Sequence, residues 1–108
     1  MAWVVEVLNN TVSSEIKALP EDMQAKFLRI SDLIVSFGIQ SLKEPYVKHL
    51  EGKVWEMRLK GKDGIARALY VAVTGKRIVV LRVFVKKTQK TPRDEIKLAQ
   101  IRMKELGA

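Results

Sequence analysis

The residues of this 108-residue chain best suited to chemistry gather in its second half, on three strand-like segments and the run after the last of them. Val54-Trp55-Glu56-Met57-Arg58-Leu59 carries a carboxylate and a guanidinium two residues apart, which places both on one face of a strand. Ile65 to Val71 is apolar apart from Arg67, and Ile78 to Val85 is apolar apart from Arg82. The last of these passes without a linker into Lys86-Lys87-Thr88-Gln89-Lys90-Thr91-Pro92. A strand end that delivers cations and hydrogen-bond donors to one place suits phosphate oxygens, because charge-assisted bonds are the strong ones. A guanidinium inside an apolar strand needs an anion. For Arg67 that anion is either a phosphate or the carboxylate of Glu56.

Net charge sharpens this reading. The total of +8 is uneven: residues 1–42 hold 3 cations and 5 carboxylates, whereas residues 43–108 hold 17 and 7. Between Gly64 and Arg93 there are 8 cations and no carboxylate. Such an excess repels itself unless an anion relieves it, and nucleic acid is the anion whose binding phosphate neutralisation dominates. A solvated basic face kept for solubility is the plainer alternative. A membrane surface fits less well, since no basic amphipathic helix with a clean apolar face stands out. No segment has the roughly 20 apolar residues needed to span a bilayer, and the start resembles no signal peptide, so a cytoplasmic protein is expected. With no cysteine and one histidine, His49, no ligand cluster for a metal is expected and no cofactor is implied. His49 precedes the arginine-bearing strands and need not reach their charged residues.

These residues must be positioned by a small domain, and residues 1–108 are expected to form one. Trp3 to Leu8 reads as a strand. Val12, Ile16 and Leu19 then share one face of a short helix. A second helix opens at Pro20, with Glu21 and Asp22 in its first turn. It keeps Met23, Phe27, Ile30, Ile34 and Phe37 on one stripe and ends at Gly38. Residues 39–52 read as a connecting loop. Three strands follow, joined by turns at Lys60–Gly64 and Thr74–Lys76, and the apolar second and third read as interior ones. Thr91 is expected to N-cap a last helix with Pro92 at its first position and Asp94 completing a capping box. Periodicity puts Trp55, Phe27 and Phe37 in the core. Tyr70 and Phe84 read as core residues before nucleobase-stacking ones. The order β-α-α-β-β-β-α predicts an α+β domain, two N-terminal helices and a C-terminal helix packed on a largely antiparallel sheet.

Taken together, Leu50 to Arg58, Ala66-Arg67-Ala68-Leu69-Tyr70 and Val85 to Pro92 resemble the HigB-like, phage-derived branch of the RelE toxin superfamily. The resemblance covers about residues 50–106. It implies a RelE-like fold and the toxin of a type II toxin–antitoxin pair, a metal-independent endoribonuclease cleaving mRNA on the ribosome. The implied partner is a HigA-like antitoxin with a helix-turn-helix domain. Carried over by position, Arg67, Lys87, Arg58, Glu56 and Lys86 would form the catalytic group, with Lys90, Gln89, Thr88, Arg82 and Lys60 holding RNA. The chain departs from the pattern in lacking a histidine or tyrosine just after the last strand, where several relatives place a general acid or base. A lysine of the crowded 86–90 cluster, or Glu56, is then the available base. Glu56 can equally be the counter-ion of Arg58 or Arg67, and Gln89 and Thr88 can simply cap a turn. Two further readings remain: a toxin of the same fold that binds a target such as DNA gyrase without cutting, as the ParE-like branch does, and a basic nucleic-acid-binding module.

Overall fold

A computed structural model describes residues 2–43, 46–86 and 90–107. Strand β1 (Val4–Val7) leads to helices α1 (Asn10–Lys17) and α2 (Glu21–Phe37) and a single 3-10 turn at Ile39–Ser41. Strands β2 (Val47–Glu51), β3 (Val54–Gly61), β4 (Gly64–Val73) and β5 (Arg77–Lys86) follow, then helix α3 (Arg93–Met103) and a second 3-10 turn, Lys104–Leu106. The five strands form one sheet in the order β1-β5-β4-β3-β2. Only β1 runs parallel to its neighbour, β5; the other three pairings are antiparallel.

Local chemistry explains the boundaries. Asn9 caps α1 by accepting from the Val12 amide at 3.1 Å, the usual way to satisfy an orphan first-turn donor. Gly38, at φ +88°, ends α2 in a conformation that a side chain would strain. Asp22, in the first turn of α2, accepts from the Lys62 amide at 2.9 Å and fastens the β3–β4 turn to the helix. Gly61 makes that approach possible: a Cβ there would lie 2.7 Å from Asp22 Oδ2 and 2.9 Å from Met23 Cγ.

Helices α1 and α2 cover one face of the sheet. Val12, Met23, Ile30 and Ile34 pack there on Met57, Leu59, Ala68, Tyr70, Ile78 and Val80. Helix α3 covers part of the other face, where Ala99 meets Val54, Leu69, Val71, Val79, Leu81 and Phe84. Buried on both faces, β4 and β5 are interior strands, as their apolar runs predict. Burial deprives the Tyr70 phenolate of hydration and pushes its pKa well above the ordinary range. Both Tyr70 and Phe84 are core residues. Among the described residues, no helix is long and apolar enough to cross a membrane.

Three expectations are corrected. Residues 39–52 are not simply a loop: they contain the 3-10 turn and β2, whose five residues are too few for a periodicity signal to emerge beside Pro45. Phe37, the last residue of α2, is 70% exposed, and Trp55, near the start of β3, is 39% exposed. Thr91 does not cap α3: Pro92 holds the N-cap position with no side-chain cap at all, because the Thr91 hydroxyl is engaged elsewhere.

Candidate functional site

Strand register sorts the charged residues into rows across the face that α3 only partly covers. Antiparallel partners share a face, and successive rows lie about 7 Å apart along the strands. Glu56, Leu69 and Arg82 form one row, Arg58, Arg67 and Phe84 the next, and Lys60, Ile65 and Lys86 the third.

At the centre is a buried carboxylate. Glu56 is 1% exposed, and both its oxygens accept hydrogen bonds. Oε2 accepts from Arg67 Nη1 at 2.9 Å and from Arg58 Nε at 3.1 Å. Oε1 accepts from the Thr91 hydroxyl, which in turn accepts a longer bond from Arg67 Nη1 at 3.4 Å. Burying these charges is tolerable because they are paired and hydrogen-bonded together. The two arginines nevertheless differ. Arg67 is fully buried, whereas the Arg58 side chain keeps 28% of its surface exposed.

Above this group opens a cleft of about 590 Å³. Arg58, Glu56 and Thr91 line it, together with Lys48 from β2 and Lys90 and Arg93 flanking Thr91. The last of these makes a loose ion pair of 3.6 Å with Glu51. The cleft is therefore cationic at its rim, with a neutralised floor that fixes one guanidinium, an arrangement chemically suited to an oxyanion.

The Phage derived protein Gp49-like family matches residues 14–104. The chain belongs to the Gp49-like family. Among curated proteins none matches it. The Gp49-like chain has the fold of RelE. It superposes on RelE in the archaeal RelE–RelB complex from Pyrococcus horikoshii OT3 with a TM-score of 0.63 and 21% identity, over 83% of this chain and 100% of the other. Against a double-arginine mutant of E. coli toxin RelE in the free state the TM-score is 0.62 and the identity 14%, over 90% and 97% of the two chains.

The candidate residues of the Gp49-like chain are only partly gathered. Glu56, Arg58 and Lys90 meet at the cleft, and Arg67 lies beneath it. In this arrangement Arg67 takes the Glu56 carboxylate as an anion, and Arg58 is the more exposed of the two guanidiniums. Lys86 and Lys60 stand one row further along, on either side of Ile65, outside the cleft lining. Lys87, Thr88 and Gln89 lie outside the described residues.

Arg82 has a different setting. All three of its guanidinium nitrogens meet carboxylates: Nε and Nη2 donate to Glu95 at 2.8 and 3.2 Å, and Nη1 lies 2.8 Å from Glu15. The hydrogen bonds to Glu95, with Glu15 adding to them against the opposing effect of burial, hold its pKa above the ordinary arginine range. Arg102 joins the same group, 3.0 Å from Glu15. Together they complete the edge of β5 where β1 stops, Glu15 accepting from the Val83 amide and Arg102 donating to the Leu81 carbonyl. This group ties α1, β5 and α3 together, and the RNA contact expected of Arg82 would have to compete with it.

His49 also contributes to the cleft lining, although its ring turns towards its cross-strand partner Trp55 at 5.1 Å and its Nε2 lies 2.8 Å from the Gly52 carbonyl. Among the described residues no cluster of histidine and acidic side chains could hold a metal. Sequence reasoning missed Lys48 and Arg93 as rim cations and Thr91 as a buried polar partner. The signal for Arg93 was present in the acid-free run that it closes. Lys48 alternates with Val47 and His49 in β2, a strand too short to carry a periodicity signal of its own.

Proposed function

We propose that this protein is the toxin of a toxin–antitoxin pair, an endoribonuclease that cuts mRNA on the ribosome with its cationic cleft as the phosphate site. The observation that carries this reading is Arg58: a guanidinium oriented by a buried carboxylate and still exposed at the floor of a cleft rimmed by Lys48, Lys90 and Arg93. Likeness in fold to a toxin, and to a protein solved in complex with RelB, supports it.

Cleavage would run through the substrate's own 2′-hydroxyl. A base removes its proton, the 2′-oxygen attacks phosphorus, and the P–O5′ bond breaks as the 5′-oxygen takes a proton. The products are a 2′,3′-cyclic phosphate and a 5′-hydroxyl end. Arg58 would hold two non-bridging oxygens as negative charge grows on the phosphorane. Lys48, Lys90 and Arg93 would neutralise flanking phosphates. Glu56, with both oxygens already accepting, serves as counter-ion to the two arginines; the base is assigned to the lysine cluster 86–90. The acidic partner that silences the toxin, a HigA-like helix-turn-helix protein in this reading, would cover the same cations.

Expression of the chain alone in bacteria tests the proposal. Growth should stop, translated mRNA should acquire new 5′-hydroxyl ends, and a co-expressed antitoxin from the adjacent reading frame should relieve both. Normal growth at high soluble expression would refute it.

A further inference from the structure

Thr91 is a polar side chain that the cleavage scheme leaves without a role, yet it is buried and makes two hydrogen bonds within the charged centre. Its position in the chain matters as much as its bonds. Lys90 and Arg93 stand one residue before and two residues after it, so one wall of the cleft is carried by the segment that Thr91 anchors. The opposite wall, with Lys48 and Arg58, belongs to β2 and β3. Glu56 is where the two walls meet.

A carboxylate gripped only through Oε2 can still turn about its Cγ–Cδ bond. Both arginines use Oε2. Thr91 alone among the described residues holds Oε1, so its hydroxyl fixes the plane of the carboxylate and, through it, the direction of the Arg58 guanidinium. We infer that Thr91 is a positioning residue: by donating to Glu56 Oε1 and accepting from Arg67, it locks the Glu56 carboxylate so that Arg58 faces the phosphate and the lysine-bearing wall stays docked beside it. Valine has nearly the shape of threonine but leaves Oε1 buried without that donor, which is costly enough to force Glu56 to reorient. Serine keeps the hydroxyl.

The inference rests on the cleft being a phosphate site, so the test has an arm that needs no catalysis. In 15N-labelled full-length protein, the Nε–Hε signal of Arg58, assigned with Arg58→Lys, reports its bond to Glu56. Wild type and Thr91→Ser should give a sharp, slowly exchanging signal that moves on titration with inorganic phosphate. Thr91→Val should exchange at least about tenfold faster and lose the phosphate response; should that variant not fold, Thr91→Ala gives the same reading. In single-turnover cleavage of ribosome-bound mRNA, a misplaced guanidinium should cost about 100-fold in rate at saturation, with half-saturation nearly unchanged. Thr91→Ser should stay within roughly threefold of wild type in the same assay. An unaltered Arg58 signal in folded Thr91→Val or Thr91→Ala, or a serine variant as impaired as the valine one, overturns the positioning role. Absence of cleavage by wild type with the Arg58 pattern intact refutes the nuclease reading and leaves the positioning role standing.

Discussion

Replacing Glu56 by alanine should destabilise the fold far more than any surface charge change, because of what the substitution strands. Arg67 is fully buried beside Glu56 at 2.9 Å, and Arg58 adds a second bond to the same oxygen. Removing one partner of a buried ion pair costs about 3–5 kcal/mol, because the remaining charge has lost its counter-ion while still out of water. A domain of this size has a total stability of about 5–15 kcal/mol, so Glu56→Ala should lose a large part of it. The loss would be mainly a desolvation cost, so it should be recovered by removing the other charge too. In Glu56→Met/Arg67→Met both charges are exchanged for flexible apolar side chains, and the double variant should unfold within about 2 kcal/mol of wild type. Urea unfolding followed by tryptophan fluorescence measures wild type, Glu56→Ala and the double methionine variant alike, provided the slope with denaturant stays constant. A Glu56→Ala cost below about 1 kcal/mol, the value of an exposed pair, would show that the centre is hydrated and refute the reasoning.

Other consequences are simpler. Gly61→Ala should destabilise by about 1–3 kcal/mol, since its Cβ would press on Asp22 and Met23 and displace the Asp22 bond to the Lys62 amide; a melting temperature unchanged from wild type would contradict the close approach. Tyr70 has a folded pKa raised by burial, so its contribution is complete below the unfolded value of about 10 and is lost as pH rises beyond it. Stability should therefore fall above pH 10 by up to about 1.4 kcal/mol per pH unit from this group, and Tyr70→Phe should flatten that fall in denaturation curves recorded at alkaline pH.

Much of the fold could be read from alternation and punctuation. The apolar faces of α1 and α2, the interior strands β4 and β5 and both hairpin turns follow from residue patterns that act locally. What escaped did so because its cause is not local. Strand β2 is five residues long, and its place at the sheet edge is set by pairing with β3 rather than by its own composition. Phe37 keeps the helical spacing of its stripe, but α2 ends before that turn meets the sheet. At the site, sequence identified Glu56, Arg58, Arg67 and Lys90 without ranking their access to solvent. Whether a cation in a strand is a floor or a contact depends on what packs over it. Here Thr91, 24 residues from Arg67 in the chain, helps to close Arg67 off and leaves Arg58 exposed. Thr91 follows the same rule: a threonine before a proline and an acidic turn fits a helix cap, and only the tertiary contact with Glu56, 35 residues away, shows the hydroxyl in use there.

The central claim, that the cleft around Arg58 is the phosphate site of an RNA-cutting protein, is tested most directly by Arg58→Ala in single-turnover cleavage of mRNA on the ribosome. Arg58 is partly exposed and held by a single bond to Glu56 among the described residues, so the variant should fold and still bind the ribosome. Losing one oriented donor to the phosphorane should slow cleavage by about 100- to 1000-fold, and Arg58→Lys should recover little of it because an ammonium lacks the planar fork. Cleavage by folded Arg58→Ala at the wild-type rate would contradict the account.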